Sequence, residues 1–342
     1  MAGQRNLLVT LADSNYIDQA KQLFSSVYWN AGWEGEYMLL SHDIPEPELQ
    51  WFSEKGILVK RCKPLHNASI GENYSPVVLD KFYLFTPEFK QWQNIIYLDS
   101  DIIVRSSLNK ISKIKGFCAV TSTLKLSEQF SDKSNLYKGL KKNYNLNIKT
   151  CNTGILAFSS DIITEDALPE LTNLFDKYKE IILYADEAVL NLFFNKKWRK
   201  LPRVFGLDVI LLLNFKIKYD KIKAPVLHFI RNNFFRYKPW MPENPFYKEW
   251  IDNFIKAGLI DLNTIPKGDQ WKSGKILHYS LLYDFYFHIF YFYYCNKTVR
   301  IIKNTFVSIM HLPERIIGMT GVLIKKLNPQ IYFRIKKFFR MK

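Results

Sequence analysis

The chain has 342 residues, of which 48% are hydrophobic, and its formal net charge is +16. A chain of this size can bury a core that folds without disulfides or a structural metal, and a prior of about 150 residues per domain allows one or two domains. Its four cysteines are too few and too far apart for a disulfide scaffold or a zinc motif, which favours a reducing compartment.

The positive charge is concentrated towards the C-terminus. Residues 272–342 hold 13 Lys and Arg against two Asp and Glu, a net of +11, which leaves +5 for the first 271 residues. A basic excess of this kind favours an anionic partner such as a membrane surface, a nucleic acid or a phosphorylated substrate. We expect no signal peptide and no membrane span, because every apolar stretch is shorter than the roughly 18–20 uncharged residues that a span needs.

Short apolar runs alternate with helical patterns through the first 230 residues. Predicted strands are Leu7–Ala12, Tyr37–Ser41, Ile57–Arg61, Ile95–Leu98, Ile102–Val104, Phe117–Ser122, Gly154–Phe158 and Val226–Phe229. Predicted helices follow Asp13 and Ser14, which can cap a helix, and cover Pro76–Phe85 and Ala185–Phe194. The alternation predicts an α/β fold with a mostly parallel sheet flanked by helices.

Two aspartates separated by one residue interrupt this pattern between two predicted strands. Asp99 and Asp101 follow Ile95–Leu98 and precede Ile102–Val104. Ligands of open α/β sheets bind beyond the carboxyl ends of strands, and carboxylates suit Mg²⁺ or Mn²⁺. Such a cation could neutralise the diphosphate that leaves a nucleotide sugar. The alternative is an acidic surface turn, which the apolar strands on both sides disfavour.

Six motifs in one order resemble those of the retaining glycosyltransferases of family 8, which include glycogenin and bacterial lipopolysaccharide galactosyl- and glucosyltransferases. The motifs are Thr10–Tyr16, Leu79–Phe82, Leu98–Asp101, Asn152–Gly154, Ala185–Asn191, and Val226–Phe229 followed by Lys238–Trp240. The resemblance covers roughly residues 6–250. It implies a Rossmann-like fold of the GT-A type and a metal-dependent transferase that uses a nucleotide sugar.

The resemblance also implies roles for single residues. The metal ligands would be Asp99, Asp101 and His228, and the imidazole favours Mn²⁺ over Mg²⁺. The residues implied to bind the UDP-sugar donor are Thr10, Ala12, Asp13, Tyr16, Lys81, Ser100, Asn152 and Lys238. Asp186 and Glu187 are the candidate catalytic residues beside the sugar.

Three of these residues have structural alternatives. His228 could be a hydrogen-bonded core histidine, and Asp186 could be a charge that stabilises a helix N-terminus. Tyr16 could stack on the base or pack in the core as a helix-face aromatic. The order of the motifs favours the functional interpretation of His228 and Asp186 and leaves Tyr16 open.

The sequence departs from the family pattern at two places. Glu187 stands where the family usually has Gln, and a carboxylate there could be a nucleophile, a stabiliser of an oxocarbenium-like state or a ligand of a sugar hydroxyl. Ten residues separate His228 from Lys238, where six is usual, and Arg231 takes the place of a glycine. We therefore expect a longer and more basic loop, with Arg231 and Arg236, next to the diphosphate.

The C-terminal part is rich in aromatic and basic residues. Ile276–Tyr294 contains ten Phe and Tyr residues, and basic and apolar residues alternate after it. Such helices favour the headgroup region of an anionic bilayer, while a packed helical subdomain or, least favoured, nucleic-acid binding are the alternatives. We predict two domains: a catalytic domain over residues 1–268 and a helical, membrane-associating extension over 269–342.

The sequence and the resemblance together predict a hexosyltransferase that moves glucose or galactose from a UDP-sugar with retention. The expected acceptor is a glycan on a lipid, such as lipopolysaccharide or a surface polysaccharide precursor, and the expected location is the cytoplasmic face of the membrane. One alternative is a protein- or self-glycosylating transferase. Another is a catalytically silent protein that binds nucleotide sugars or glycans, which the intact Asp99, Asp101 and His228 disfavour.

Overall fold

The computed structural model describes residues 5–71, 74–215, 217–230 and 238–295. The strands of these ranges are β1 Asn6–Ala12, β2 Glu36–His42, β3 Leu58–Cys62, β4 Asn94–Leu98, β5 Ile102–Val104, β6 Phe117–Lys125, β7 Lys149–Ser159, β8 Trp198–Lys200, β9 Leu207–Asp208 and β10 Val226–His228. The α-helices are α1 Ile17–Ala31, α2 Glu46–Glu54, α3 Asn135–Asn143, α4 Ala167–Tyr178, α5 Ala185–Phe193, α6 Val209–Asn214, α7 Tyr247–Lys256 and α8 Ser273–Cys295. Short 3₁₀ helices include Pro76–Phe85 and Leu126–Gln129.

Seven strands form the main sheet in the order β3-β2-β1-β4-β7-β6-β8. The neighbours β3–β2, β2–β1, β1–β4 and β6–β8 pair in parallel, whereas β7 runs antiparallel to both β4 and β6. All five residues of β4 are buried, as expected for a central strand covered on both faces. This mostly parallel sheet with flanking helices confirms the predicted fold class.

The reversed strand β7 brings two motifs to one edge of the sheet. Leu98, the last residue of β4, pairs with Ile155 of β7. The next amide, that of Asp99, donates to the carbonyl of Gly154 at 2.8 Å. The Asn152–Gly154 motif therefore lies directly beside the acidic motif that follows β4.

A second, three-stranded sheet has the order β5-β10-β9. β10 is antiparallel to β5 with Ile102 opposite His228, and the amide of Phe229 donates to the carbonyl of Asp101 at 3.1 Å. This pairing carries His228 to the acidic motif, although the two are far apart in sequence.

The predicted elements agree with the structure apart from their bounds and one helix type. All eight predicted strands are present, and the largest difference is that β7 begins at Lys149 instead of Gly154. Pro76–Phe85 is helical as predicted but is a 3₁₀ helix, which Pro76 opens and the hydroxyl of Ser75 caps. The sequence did not predict α2, α3, α4, α6 or α7.

Helix α8 is divided between two compact units, of which the first ends at Tyr286 and the second begins at Phe287. In the first unit, Tyr283 bonds both the amide and the carbonyl of Lys223, at 2.9 and 2.8 Å. Asp284 pairs with Lys200 and Arg203 at 2.7 and 2.8 Å. Among the described helices, none combines the length and apolarity that crossing a bilayer requires. The boundary after residue 268 stays a prediction, and the extension beyond Cys295 lies outside the described residues, as do Arg231 and Arg236.

Candidate active site

Asp99, Asp101 and His228 converge at the edge of the sheet. One ligand atom from each lies within 4.8 Å of the other two. Nε2 of His228 is 3.2 Å from Oδ1 of Asp101 and 3.8 Å from Oδ2 of Asp99. The side chain of His228 is almost fully buried, and those of the two aspartates are partly exposed. The three ligand atoms are therefore close enough to bind one cation, and the carboxylates are more exposed to solvent than the imidazole.

Three features of this cluster fit a divalent cation. Within the described ranges, Oδ1 of Asp101 and Nδ1 of His228 are buried without a hydrogen-bond partner, so the 3.2 Å contact lacks hydrogen-bond geometry. A Cβ on Gly154 would lie 2.3 Å from Cε1 of His228 and 2.7 Å from Oδ2 of Asp99. Two carboxylates and one imidazole form a donor set that Mn²⁺ or Mg²⁺ accepts.

Lys238 adds a positive charge to the cluster. Its ammonium group forms an ion pair with Oδ2 of Asp101 and donates to the carbonyl of Phe229 at 2.5 Å. Burial alone would raise the pKa of Asp101, but the charges of Lys238 and His228 outweigh it and lower the pKa below its ordinary value. Asp101 is therefore a carboxylate over the physiological range of pH.

Lys81 joins the cluster to α5 through a buried ion-pair network. Its ammonium group lies 2.7 Å from Oδ2 of Asp186, 3.3 Å from Oδ1 of Asp99 and 3.2 Å from the carbonyl of Thr153. Tyr97 donates to the same Asp99 oxygen at 2.7 Å, and Thr153 donates to Asp186 at 2.7 Å. Burial would lower the pKa of Lys81, but the two carboxylates raise it above its ordinary value. Lys81 thus holds both carboxylates in place.

Glu187 is the second acidic residue in the first turn of α5 and is partly exposed. Gln129 donates to its Oε1 at 2.7 Å, and Asn152 donates to its Oε2 at 3.0 Å. Burial is the main cause that raises the pKa of Glu187 to about 7, and the charge of Asp186 adds to it. The carboxylates of this turn contact Asn152 and Thr153 of β7, while their predicted orientation toward the sugar stays a prediction.

The remaining donor-site candidates surround the loop after β1. The Thr10 hydroxyl donates to the carbonyl of Leu98 at 2.8 Å, and both Thr10 and Ala12 are buried, so their contact with the nucleotide stays a prediction. Asp13 accepts from the amide of Asn15 at 2.9 Å. Tyr16 is 39% exposed and its ring meets that of Trp240 edge-on at 6.0 Å. Tyr16 is therefore not a core aromatic.

The sequence of this chain matches a known protein family. Residues 7–243 match the sequence model of the family described as "Glycosyl transferase family 8". The chain belongs to glycosyltransferase family 8. It is similar to two curated glycosyltransferases of Streptococcus pneumoniae serotype 4, GlyB and GlyF, with 26% and 24% identity over 292 and 252 residues. These alignments cover 74% and 69% of this chain but only 64% and 57% of GlyB and GlyF, so the chain spans about three fifths of their length.

Solved structures with the same fold include glycosyltransferases, one of them in complex with sugar analogues. The galactosyltransferase LgtC, in complex with donor and acceptor sugar analogues, superposes with a TM-score of 0.57 at 17% identity and covers 76% of this chain and 98% of its own. GlyE of S. pneumoniae TIGR4 gives a TM-score of 0.53 at 19% identity over 75% of this chain and 62% of its own. At these identities the comparison establishes the GT-A fold alone.

The family 8 chain brings most of the predicted site residues together. Asp99, Ser100, Asp101, His228 and Lys238 form one group, and Lys81, Asn152, Asp186 and Glu187 form a second group next to it. Ser100 is buried in the turn between the two aspartates. Sequence reasoning missed Tyr97, Gln129 and the steric role of Gly154. The Asn-Thr-Gly motif contained Gly154, but nothing in the sequence marks Gln129.

Proposed function

We propose that this family 8 enzyme transfers glucose or galactose from a UDP-sugar to a glycan acceptor carried on a lipid, with retention of anomeric configuration. The observation that carries the proposal is the position of the Asp99–Asp101–His228 cluster between two different environments. Lys238 lies on one side of it, and the Lys81–Asp186 pair lies on the other. The charge of Lys238 suits a diphosphate, and Asp186 suits the hydroxyls of a sugar.

The charges suit a diphosphate that gains a negative charge as the glycosidic bond breaks. A bound Mn²⁺ or Mg²⁺ supplies Lewis-acid charge to the leaving group. Lys238, whose ammonium lies beside Asp101, can turn towards developing negative charge because its stem is flexible. Asp186 and Asn152 offer acceptor and donor groups for sugar hydroxyls, and Tyr16 offers an exposed ring for the uracil base.

Two features support a lipid-borne acceptor and a position on the cytoplasmic membrane face. Leu277, Leu281 and Phe285 recur every four residues on α8, so they share one face, and each is about 60% exposed. Residues 296–342 add eleven Lys and Arg against one Glu. An apolar helix face followed by a basic segment favours an anionic bilayer surface.

The test is a screen of nucleotide sugars with Mn²⁺, measured as release of the free nucleotide. We expect hydrolysis of UDP-glucose or UDP-galactose, loss of activity with EDTA, and an α-linked product when a lipid-linked glycan is added. The Asp101→Asn protein is the control for contaminating hydrolases. Release from GDP- or CMP-sugars in preference to UDP-sugars contradicts the donor assignment. If the sugar of a labelled donor is transferred to the enzyme itself and not to an added glycan, the acceptor assignment is contradicted.

A further inference from the structure

A buried amide holds one oxygen of the Glu187 carboxylate. Gln129 belongs to the short 3₁₀ helix Leu126–Gln129 and is fully buried, while Glu187 lies in the first turn of α5. Nε2 of Gln129 donates to Oε1 of Glu187 at 2.7 Å, and Nδ2 of Asn152 donates to Oε2 at 3.0 Å. Each carboxylate oxygen thus has its own amide donor, which fixes the plane of the group.

The main chains on both sides of this contact are also fixed. The carbonyl of Gln129 accepts from the amide of Leu183 at 2.9 Å, just before α5. The carbonyl of Glu187 accepts from the side chain of Asn191 at 2.8 Å. The first bond ties the main chain of Gln129 to the segment that leads into α5, and the second is a side-chain bond within α5 that fixes its first turn.

Among the residues that the structure describes, Oε1 of Gln129 is buried without a hydrogen-bond partner. Burying an amide is costly unless its polar atoms are bonded, so the contact with Glu187 is the compensation that this side chain has. An ionised carboxylate accepts only, and an N–H donor therefore suits it. Gln, the usual family residue at position 187, has one carbonyl acceptor and one NH₂ donor, so it could accept on only one of its two terminal atoms.

We infer that Gln129 is a positioning residue that acts through Glu187: its N–H donor favours the ionised form of the carboxylate and aims the group at the donor-sugar end of the site. The inference rests on the proposed function for its catalytic consequence. Other titratable groups that act on Glu187 are Asp186, Lys81 and Cys151. Each of these stays in place when the amide of Gln129 is removed.

A double-mutant cycle separates positioning from a structural role. Gln129→Met keeps the length of the side chain and removes its donor, and it is made in the wild-type and in the Glu187→Gln backgrounds. We expect kcat for donor hydrolysis to fall about tenfold in the wild type, with KM nearly unchanged, and less than about twofold in Glu187→Gln, because the lost charge-assisted bond needs the carboxylate. Equal losses in both backgrounds overturn the inference.

A second measurement does not depend on turnover. In protein labelled with [δ-¹³C]Glu, the signal that Glu187→Gln removes is followed against pH. Gln129→Met should raise the titration midpoint of Glu187 by about one pH unit, since a donor to the charged form is lost. Gln22→Met is the matched control, because Gln22 is an equally buried amide on α1.

The outcomes distinguish this inference from the proposed function. A midpoint that Gln129→Met and Gln129→Leu both leave in place overturns the role of Gln129, even if the enzyme is active. A shifted midpoint in a protein that hydrolyses no nucleotide sugar overturns the proposed function and supports the positioning role. Gln129→Leu serves as the second variant if Gln129→Met does not fold.

Discussion

A single methyl group on Gly154 should disable the metal cluster. The Cβ of Gly154→Ala would lie 2.3 Å from Cε1 of His228, 2.9 Å from its Nε2 and 2.7 Å from Oδ2 of Asp99. All three atoms belong to candidate ligands, and His228 is packed between strands β5 and β9. The backbone of Gly154 is not in the left-handed region, so alanine strains this position only through these contacts.

The size of the effect follows from the distances. An ordinary carbon–carbon contact is about 3.5 Å, so the His228 ring must withdraw by about 1 Å. Metal ligands need placement within about 0.2 Å, and a misplacement of about 1 Å can cost about 10²-fold in rate. We expect kcat/KM for donor hydrolysis to fall by about 10²-fold and the apparent Kd for Mn²⁺ to rise at least tenfold, while overpacking lowers the free energy of unfolding by about 1–3 kcal/mol.

The assays are nucleotide release across a Mn²⁺ titration and direct Mn²⁺ binding by electron paramagnetic resonance. Gly139→Ala is the matched control, because nothing lies within 4 Å of a Cβ there and Gly139 sits inside helix α3. Alanine in a helix interior stabilises by up to about 1 kcal/mol relative to glycine, so this variant should keep full activity. If Gly154→Ala binds Mn²⁺ like the wild type and retains activity within about threefold, Asp99 and His228 do not hold the cation.

Four further outcomes are expected. Asp101→Asn should lower turnover at least about 10²-fold, and near-normal rates in that variant or after EDTA treatment would contradict the metal assignment. Lys81→Met should lower the free energy of unfolding by about 3 kcal/mol. This is the lower end of the range for a broken buried ion pair, because one of the two carboxylate partners, Asp99, is a third exposed. An unchanged urea midpoint at pH 7 would refute the network. The pKa of Glu187 is raised from 4.5 to about 7, so the folded state binds the extra proton and wild-type stability falls as pH rises between these values. Glu187→Gln should remove this pH dependence, and the same dependence of the melting temperature on pH in both proteins would contradict the assignment. The turnover of Glu187→Gln should also fall more than its affinity for the donor, unless Glu187 only binds a hydroxyl. A chain that ends after Cys295 should keep donor hydrolysis but lose salt-sensitive binding to anionic liposomes, and equal liposome binding by both lengths would refute the membrane role of the basic segment.

The sequence predicted the central part of the fold because that part is coded locally. The strands β1, β2 and β4 have five to seven residues, most of them apolar and nearly all of them buried, and burial on both faces favours such runs. The antiparallel direction of β7 was not predictable, because a run of apolar residues has the same pattern in a parallel and in an antiparallel strand. The 3₁₀ form of Pro76–Phe85 also escaped prediction, since ten residues hardly separate periods of 3.0 and 3.6.

The sequence predicted the part of the candidate site whose residues lie in one short segment. Asp99 and Asp101 are two residues apart, so a candidate metal site and its place at a strand end could be inferred. That Lys81 faces the nucleotide stays a prediction, whereas its contact with Asp186, which lies 105 residues further along the chain, was not predicted. Gln129 reaches Glu187 across 58 residues. Contacts at such separations depend on how whole elements pack, and a local pattern carries no information about them.

The pairing of β5 with β10 sets the order in which a newly made chain can become active. His228 is 127 residues further along the chain than Asp101, and it reaches the aspartates only as part of β10. At elongation rates of about 5–20 residues per second, about 6–25 s pass on the ribosome between the synthesis of the two residues. During this interval the nascent chain has an acidic pair but lacks the imidazole and Lys238, which follows ten residues later. Competence for cation binding therefore appears late in synthesis, and a chain stalled before residue 228 can have most of the main sheet without a complete metal centre.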